Sequence, residues 1–243
     1  MSSKASTALA PSGRVAALGW DGLAGQLNEL GCALTEPVLS PAECAEIAAL
    51  YADDGLFRST IDMEPRRFGR GQYRYFADPV PAMISALRAA FWPRLLPVAR
   101  DWAGQLGRPA PWPDDFSAWL DQCHTAGQQR PTPLLLSYGP GDWNALHQDL
   151  YGELYFPLQV VIGLDVPGKD HVGGEFILVE QRPRAQSRGT VTMLGQGQAL
   201  IFTTSVRPVR SQRGYSAAPV RHGVSVLRSG RRRTLGLVMH DAK

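Results

Sequence analysis

The sequence feature that most constrains the fold is a change in the spacing of apolar residues near the middle of the chain. The first half has helical spacing, whereas the second half has short apolar segments separated by Gly-rich turns. Segments of β character recur at short intervals from Leu134 to His240. Many short strands with turns of this kind indicate an antiparallel sandwich or jelly roll. The predicted strands cover residues 134–138, 158–164, 174–180, 190–194, 198–203, 220–227 and 233–240.

The first half of the chain predicts helices. Apolar residues at helical spacing predict one helix from Val15 to Leu30 that stops at Gly31. The sequence Ser-Pro-Ala-Glu at 40–43 has the pattern of a capped helix start, and that helix should run to about residue 51. Further helices are predicted over 81–106, with a break at Pro93, and over 116–125. The predicted fold class is therefore α+β, with N-terminal supporting helices before an antiparallel core.

Length and composition fit one domain. The 243 residues are 44% hydrophobic, which is enough for a substantial core. We expect a flexible tail at 1–13 and a single domain at 14–243, with mainly helical support at 14–130 and the core at 131–243. No apolar run reaches the length of a membrane span, and the N-terminus lacks the pattern of a secretory signal, so we predict a cytoplasmic protein. Three Cys without a Cys-x-x-Cys pair argue against a disulfide framework or a zinc site.

Basic residues are unevenly distributed along the chain. From Arg182 to the C-terminus there are eleven Arg and one Lys against a single acid, Asp241. Such a segment could bind phosphates or carboxylates through planar, bidentate guanidinium groups. Alternatively, these Arg residues pair with acids of the first 181 residues across the fold. The sequence leaves both interpretations open.

A His and an Asp stand two residues apart in His147-Gln148-Asp149. On an extended strand or at its end, residues i and i+2 project to the same side, so both side chains could hold one ion. A distant His would complete a two-His-one-carboxylate face that leaves positions open on iron(II) for a cosubstrate and O₂. His222 is the candidate. His171 and His240 are rivals, but His171 lies in a loop too soon after Asp149, and no strand follows His240.

An Arg and a Thr stand two residues apart where the chain leads into the last predicted strand. Arg232 and Thr234 therefore share one face, where a guanidinium and a hydroxyl could bind the carboxylate of a cosubstrate. If the register of the strand slips by one residue, Arg233 becomes the anchor.

The segment 57–76 interleaves Arg with aromatic residues, and the alternation of Tyr73 and Tyr75 with polar residues predicts a strand at 72–76. Such a segment could bind a planar or phosphate-bearing substrate. Alternatively, the segment is a hairpin whose Arg residues are only solvated. Two more Arg follow a predicted strand at 182 and 184. The candidate substrate residues are Arg66, Arg70, Tyr73, Tyr75, Arg182 and Arg184.

The order of these motifs resembles that of the iron(II)/2-oxoglutarate-dependent dioxygenases. His-x-Asp is followed by Gly-Gly-Glu-Phe at 173–176, Gly-x-Ala-Leu-Ile-Phe at 197–202, then His-Gly-Val and Arg-x-Thr. The resemblance implies a double-stranded β-helix core, a cupin-like jelly roll, over about residues 134–241. More narrowly, the segments 130–133, 147–152, 181–184 and 221–225 resemble a prokaryotic branch described as nucleic-acid oxygenases.

The resemblance also implies cofactors and roles. Iron(II), 2-oxoglutarate and O₂ would be required, with ascorbate as a stimulant. His147, Asp149 and His222 would be the iron ligands. Arg232 with Thr234 would clamp the distal carboxylate of 2-oxoglutarate, and Tyr138 would be a further donor to it. The demethylases of alkylated bases carry two Arg six positions apart after the distal His, and this chain lacks that arrangement.

Three functions are compatible with these observations. The first is a dioxygenase that hydroxylates or oxidatively demethylates a substrate such as a nucleic-acid base. The second is a hydroxylase of a free amino acid, peptide or small metabolite, similar to the proline hydroxylases. The third is a catalytically inert jelly-roll binding protein, which would form no succinate. The expected partners are 2-oxoglutarate and a nucleic-acid or small-molecule substrate, without a membrane.

Overall fold

The computed structural model describes residues 9–182, 185–212 and 214–243. Helices dominate the first half of this part of the chain, and strands dominate the second half. The α-helices are α1 (Pro11–Ala16), α2 (Trp20–Leu30), α3 (Pro41–Ala49), α4 (Ala82–Gln105) and α5 (Phe116–Thr125). The strands are β1 (Cys32–Pro37), β2 (Phe57–Asp62), β3 (Gly69–Arg70), β4 (Gln72–Phe76), β5 (Leu134–Tyr138), β6 (Trp143–His147), β7 (Leu158–Gly163), β8 (His171–Gly173), β9 (Phe176–Glu180), β10 (Arg188–Thr192), β11 (Gln198–Thr203), β12 (Val206–Ser211), β13 (Gly214–Val224), β14 (Leu227–Gly230) and β15 (Arg232–Val238).

Two antiparallel sheets face each other and form the predicted jelly-roll core. The larger sheet has seven strands in the order β1-β11-β7-β15-β5-β4-β2. The smaller sheet has the order β10-β9-β13-β6-β3, with β12 paired to β13. Side chains of both sheets meet between them in a cluster that includes Val161 and Leu200 of the larger sheet and Phe176 and Leu178 of the smaller one. The α+β class and the sandwich are therefore confirmed.

The helices cover the outer face of the larger sheet. Alternate residues of β7, Val160 and Ile162, pack against helical residues such as Leu87 and Trp92 of α4 in one large buried cluster. The neighbouring position Val161 faces the other sheet instead. This alternation explains why β7 is buried along its whole length and is apolar except for Gln159, because both of its faces are covered.

Helix boundaries follow local sequence signals with two exceptions. Ser40 forms the predicted capping box with Glu43, and Gly31 ends α2 with a φ of 78°. The single helix predicted from Val15 to Leu30 is wrong, since α1 ends at Ala16 and α2 begins at Trp20. The break predicted at Pro93 is also wrong, because α4 continues through it.

The first half contributes more to the sheets than predicted. β1 was not expected, yet it pairs with β11. β4 has the bounds predicted for a strand at 72–76, and together with β2 it extends the other edge of the larger sheet. The division of the chain at residue 131 stays a prediction. Most of the expected tail at 1–13 lies outside the described residues, and α1 begins at Pro11. None of the described helices is both long and apolar enough to cross a membrane.

A candidate metal and cosubstrate site

Two histidines lie directly opposite each other on adjacent strands of the smaller sheet. His147 at the end of β6 is the register partner of His222 on β13, and their ring centroids are 4.3 Å apart. Gly223 makes this close pairing feasible, since a Cβ there would lie 2.6 Å from the carbonyl oxygen of Asn144. Asp149 follows two residues after β6. The sheet register thus brings together residues that are 75 positions apart in the chain.

The three side chains converge on one point. The Oδ1 atom of Asp149 is 3.5 Å from Nε2 of His147, and its Oδ2 atom is 3.1 Å from Nε2 of His222. One ligand atom from each residue lies within 4.8 Å of the others, and among the described residues these form the one such group of His, Cys, Asp and Glu. Two imidazoles and a carboxylate are the donor set of non-haem iron(II) sites with open positions. The donors present therefore fit iron(II).

Hydrogen bonds set the orientation of His147 and of the carboxylate. Nδ1 of His147 donates to the carbonyl oxygen of Ala145 at 2.7 Å, which directs Nε2 towards Asp149. The hydroxyl of Tyr151 donates to Oδ1 of Asp149 at 2.7 Å. Gln148 points the other way and donates to carbonyl oxygens of Ser205 and Val220. The His-x-Asp segment is therefore held on both sides.

The charges of the site favour a carboxylate next to a cation. Burial alone would raise the pKa of Asp149, but the adjacent imidazoles, His222 above all, hold that pKa well below its usual value. Burial lowers the pKa of His222, against the opposing charge of Asp149. For His147, burial is outweighed by the hydrogen bond and charge of Asp149, and its pKa is raised. A divalent cation can replace the protons that these three groups otherwise share.

An Arg without a carboxylate partner lies on the wall of the same cavity. Arg232 is 3% exposed, and its guanidinium makes no hydrogen bond or ion pair within the described part of the chain. It sits 5.6 Å from the ring of Tyr138 and opposite that residue in the register of β15 and β5. Gly174 leaves room for it, because a Cβ there would come within 2.7 Å of its Cδ. Burial lowers the pKa of Arg232 from its ordinary value.

The two neighbours of Arg232 face elsewhere. Arg233 donates from its Nε and Nη2 atoms to Asp165, at 3.1 and 2.6 Å, on the other face of β15. Arg231 is exposed. Thr234 is 2% exposed and lines the cavity beside Arg232, as alternation along a strand requires. Of the two candidate anchors, the structure therefore places Arg232 at the cavity and Arg233 away from it.

The cavity that joins these groups has a volume of about 350 Å³. It lies between the two sheets, opens to the surface beside Arg67 and Phe68, and is lined mainly by apolar and aromatic groups. Both His ligand candidates, Asp149, Arg232 and Tyr138 reach it. The rival histidines are placed differently: His171 bonds to the carbonyl oxygen of Gly173, and neither it nor His240 lines the cavity.

Comparison with known proteins identifies the family. A family model named Oxygenase-NA, described as an oxygenase catalysing oxidative methylation of damaged DNA, matches residues 71–242, well over half of the chain. This chain belongs to that oxygenase family. Two uncharacterized proteins from different strains of Mycobacterium tuberculosis are 61% identical to it over 167 residues, which cover 69% of this chain and 72% of each relative.

Solved structures share the fold of this oxygenase at low sequence identity. A prolyl-4-hydroxylase of Pseudomonas putida is 14% identical, with a TM-score of 0.52 over 89% of this chain and 96% of that one. An oxidoreductase of the 2-oxoglutarate-iron(II) oxygenase family from Burkholderia pseudomallei is 17% identical, with a TM-score of 0.53 over 92% and 93%. The double-stranded β-helix core of the oxygenase is thus confirmed.

The candidate substrate residues of the oxygenase fall into two groups. Tyr73 and Tyr75 on β4 line the cavity, and Tyr75 donates to the hydroxyl of Tyr151 at 3.0 Å. Arg66 is exposed near them, and Arg70 is 3.5 Å from Asp142. The remaining two are elsewhere: Arg182 donates to Glu180 at the far end of β9, and Arg184 lies outside the described residues.

Many basic residues of the C-terminal segment are paired with acids of the first 181 residues. Glu180 alone accepts contacts from three Arg residues within 4 Å. This supports the alternative that part of the positive charge is neutralised across the fold. The six basic residues in such pairs are Arg182, Arg188, Arg207, Arg228, Arg233 and Lys243.

Sequence reasoning missed Tyr151, Gln148 and Gly223 as parts of the site. Tyr151 stands two residues after Asp149, so the alternation that related His147 to Asp149 also pointed to it. The roles of Gln148 and Gly223 depend on which strand lies beside β6. No pattern within the sequence gives that neighbour.

Proposed function

We propose that this protein is an iron(II)- and 2-oxoglutarate-dependent dioxygenase that hydroxylates or oxidatively demethylates a nucleic-acid base. The observation that carries the proposal is a buried, unpaired Arg232 in the same cavity as the converging His147, Asp149 and His222. A buried cation without a partner is costly, so the cavity favours an anionic ligand. A dicarboxylate could pair one carboxylate with Arg232 and bind a metal held by His147, Asp149 and His222 with its other end.

The chain's own residues would hold the metal and leave one face open. Nε2 of each His and one oxygen of Asp149 would be the ligands, with Tyr151 keeping the carboxylate in place. Bound iron(II) would supply the activation of O₂ that is coupled to oxidation of the cosubstrate and of a substrate C–H bond. The protein would contribute orientation of both reactants and a cavity that excludes water.

Arg232, Thr234 and Tyr138 would orient 2-oxoglutarate. The guanidinium and the hydroxyl of Thr234 lie on one face of β15, where together they can bind the distal carboxylate. Tyr138 is fully buried beside them, and its hydroxyl accepts from Asn144 at 3.4 Å, which leaves its own proton free for a carboxylate oxygen.

A base is the proposed substrate because the cavity mouth combines aromatic rings with positive charge. Tyr73, half-buried on the cavity wall, offers a ring against which a base can stack, and Arg66 and Arg67 are exposed next to it. The guanidinium of Arg58 already lies over the ring of the buried Tyr75, 4.5 Å from its centroid. The family description, which names damaged DNA, supports the same class. A base would have to leave its stack to enter a cavity between two sheets.

The cosubstrate site is tested by adding iron(II) and 2-oxoglutarate without O₂ and recording the metal-to-ligand absorption band. We expect a band in the natural protein and a strong loss of 2-oxoglutarate affinity in Arg232→Met. Arg231→Gln is the matched control, because its side chain is exposed on the adjacent position, and it should retain the affinity. Equal affinity in the natural protein and in Arg232→Met would reject the assignment. An absence of succinate formation under O₂ would favour the inert binding protein.

The substrate class is tested by succinate release with two pools. Oligonucleotides with methylated bases should stimulate 2-oxoglutarate turnover, and their binding should weaken as salt rises because phosphates are neutralised.

The internal pairing of six C-terminal basic residues favours the second candidate, a hydroxylase of an amino acid, peptide or small metabolite. Stimulation by such compounds, together with no oligonucleotide binding at low salt, would select that candidate.

A further inference from the structure

One polar side chain in the cavity has no role in the site as described so far. Gln159 lies on β7, is 2% exposed and lines the cavity, and its side-chain nitrogen has no hydrogen-bond partner within the described residues. It shares the inward face of β7 with Val161, whereas Leu158 and Val160 pack against the helices. It is the one polar residue in that strand.

Several other polar groups of the cavity already have partners within the described residues, although Nδ1 of His222 has none. Asn144 bonds to Tyr138, Gln148 to main-chain carbonyls, and Tyr151 to Asp149. Buried amides are almost always hydrogen-bonded, and one left without a partner costs free energy. The amide of Gln159 therefore destabilises the folded protein unless a ligand forms the missing hydrogen bond.

The register places Gln159 at the opposite end of the cavity from Arg232. Gln159 pairs with Val238 on β15, six residues beyond Arg232, which corresponds to about 20 Å between the Cα atoms of Arg232 and Val238. The carbon chain of 2-oxoglutarate spans only about 6 Å, since it has four bonds of about 1.5 Å. On its other side Gln159 pairs with Phe202, whose ring centroid is 4.7 Å from that of His222. The amide thus lies near the metal site and away from the cosubstrate anchor.

We propose that Gln159 is a specificity-determining residue that hydrogen-bonds the polar edge of a flipped-out base. A carboxamide presents a donor and an acceptor side by side, which matches the adjacent donor and acceptor on the edge of a base. Tyr75 lies on the same inward face of the larger sheet, three strands away from Gln159, and would contact the same base from the other side of the cavity. This inference rests on the proposed nucleic-acid substrate and adds how the base is recognised.

The test compares Gln159→Leu with the natural protein, both loaded with iron(II) and 2-oxoglutarate without O₂. The probes are labelled single-stranded oligonucleotides that contain one methylated adenine, cytosine, guanine or thymine, or an abasic site. The natural protein should prefer at least one methylated base over the abasic site. Gln159→Leu should lose about tenfold or more of that preference and keep its affinity for the abasic probe. Gln159→Glu, which retains the shape but lacks the donor, should also lose the preference.

Gln196→Leu is the matched control, because Gln196 bonds to the carbonyl oxygen of Leu164 outside the cavity, and it should keep the preference. Unfolding gives a second readout: relief of the unbonded amide should raise the melting temperature of Gln159→Leu by about 2–4 °C. An unchanged preference in Gln159→Leu, a loss of its 2-oxoglutarate absorption band or a lower melting temperature would each overturn the inference. Absence of oligonucleotide binding by the natural protein would overturn the proposed substrate and this inference with it.

Discussion

At the scale of single residues, alternation along one strand separates charges that look equivalent in the sequence. Arg232 and Arg233 are adjacent, yet Arg232 reaches the cavity and Arg233 is bonded to Asp165. A strand sends successive side chains to opposite faces, so the register of β15 determines which guanidinium can meet a cosubstrate. The same alternation relates His147, Asp149 and Tyr151 at the other side of the cavity.

The hydroxyl of Tyr151 should strengthen metal binding through Asp149. Tyr151→Phe removes the hydrogen bond to the carboxylate and keeps the ring in place, so we expect metal affinity to fall about 10- to 100-fold. Equilibrium titration with iron(II) or a substitute divalent ion measures this loss. Tyr155→Phe is the control, since Tyr155 lies near His240 rather than at Asp149. Unaltered affinity in Tyr151→Phe would show that the carboxylate needs no such support.

His240 should make stability depend on pH. Burial lowers the pKa of His240 to about 4, below its ordinary value of 6.5. Between these values the unfolded chain binds more protons than the folded one, so stability is lost as pH falls from 6.5 to 4, by about 3 kcal/mol. Chemical denaturation of the metal-free protein across this range should show the loss. In His240→Gln, which cannot titrate, the pH dependence should be smaller, and an identical profile would contradict the assignment.

At the scale of elements, α4 shows how packing overrides a local signal. Pro93 and Pro97 lie inside the helix, where each removes a backbone donor, and yet α4 runs unbroken for 24 residues. Both prolines are exposed, whereas Trp92, Leu95 and Leu96 are buried against the larger sheet. Carbonyl groups left without a donor on the solvent side can bond to water, and burial of the other face holds the helix together.

Removal of one of these prolines should stabilise the protein. Pro93→Ala restores a donor in an exposed helix interior, and we expect the free energy of unfolding to rise by about 1–3 kcal/mol. Denaturant titration measures the change. Pro41→Ala is the control, because Pro41 stands at the start of α3, where proline is favourable, and this exchange should bring no gain. A gain in the control equal to that of Pro93→Ala would refute the explanation.

At the scale of the whole molecule, one buried ion pair joins α2 to the strands β9 and β12. Arg207 on β12 bonds to Glu180 on β9, and its Nη atoms donate to the carbonyl oxygens of Asn28 and Glu29 at the end of α2. Glu180 is 1% exposed and Arg207 2%. The pair therefore fixes the position of α2 against the sheets and neutralises part of the C-terminal positive charge, for which the sequence left both a ligand-binding and a paired interpretation open.

Breaking this pair should be far more costly than breaking a surface pair. Glu180→Leu leaves a buried guanidinium without its carboxylate, and we expect a loss of about 3–5 kcal/mol in the free energy of unfolding. The double variant Glu180→Leu, Arg207→Met should recover much of it. Arg100→Gln, which breaks the exposed pair with Asp114, should cost less than about 1 kcal/mol. Thermal or denaturant unfolding compares the three, and similar losses for all would reject the special role of the buried pair.

Local signals in the sequence were sufficient for much of the fold. The capping box at Ser40, the turn at Gly31 and strands such as Leu134–Tyr138 and Gln198–Thr203 were predicted with their observed boundaries. These features depend on neighbours within a few residues, where dihedral preference and hydrogen bonding act directly. The missed strand Cys32–Pro37 is different, because its pairing partner, β11, lies more than 160 residues away.

By itself, the sequence determined the α+β class, the strand-rich core and the set of residues able to bind a metal and a carboxylate, because these follow from periodicity, residue chemistry and motif order. Only the tertiary structure decided which of them share a cavity. It placed His222 opposite His147, turned Arg232 inward and left the amide of Gln159 unbonded. Strand register and long-range pairing produce these contacts, and a linear pattern contains no information on which strand lies beside another.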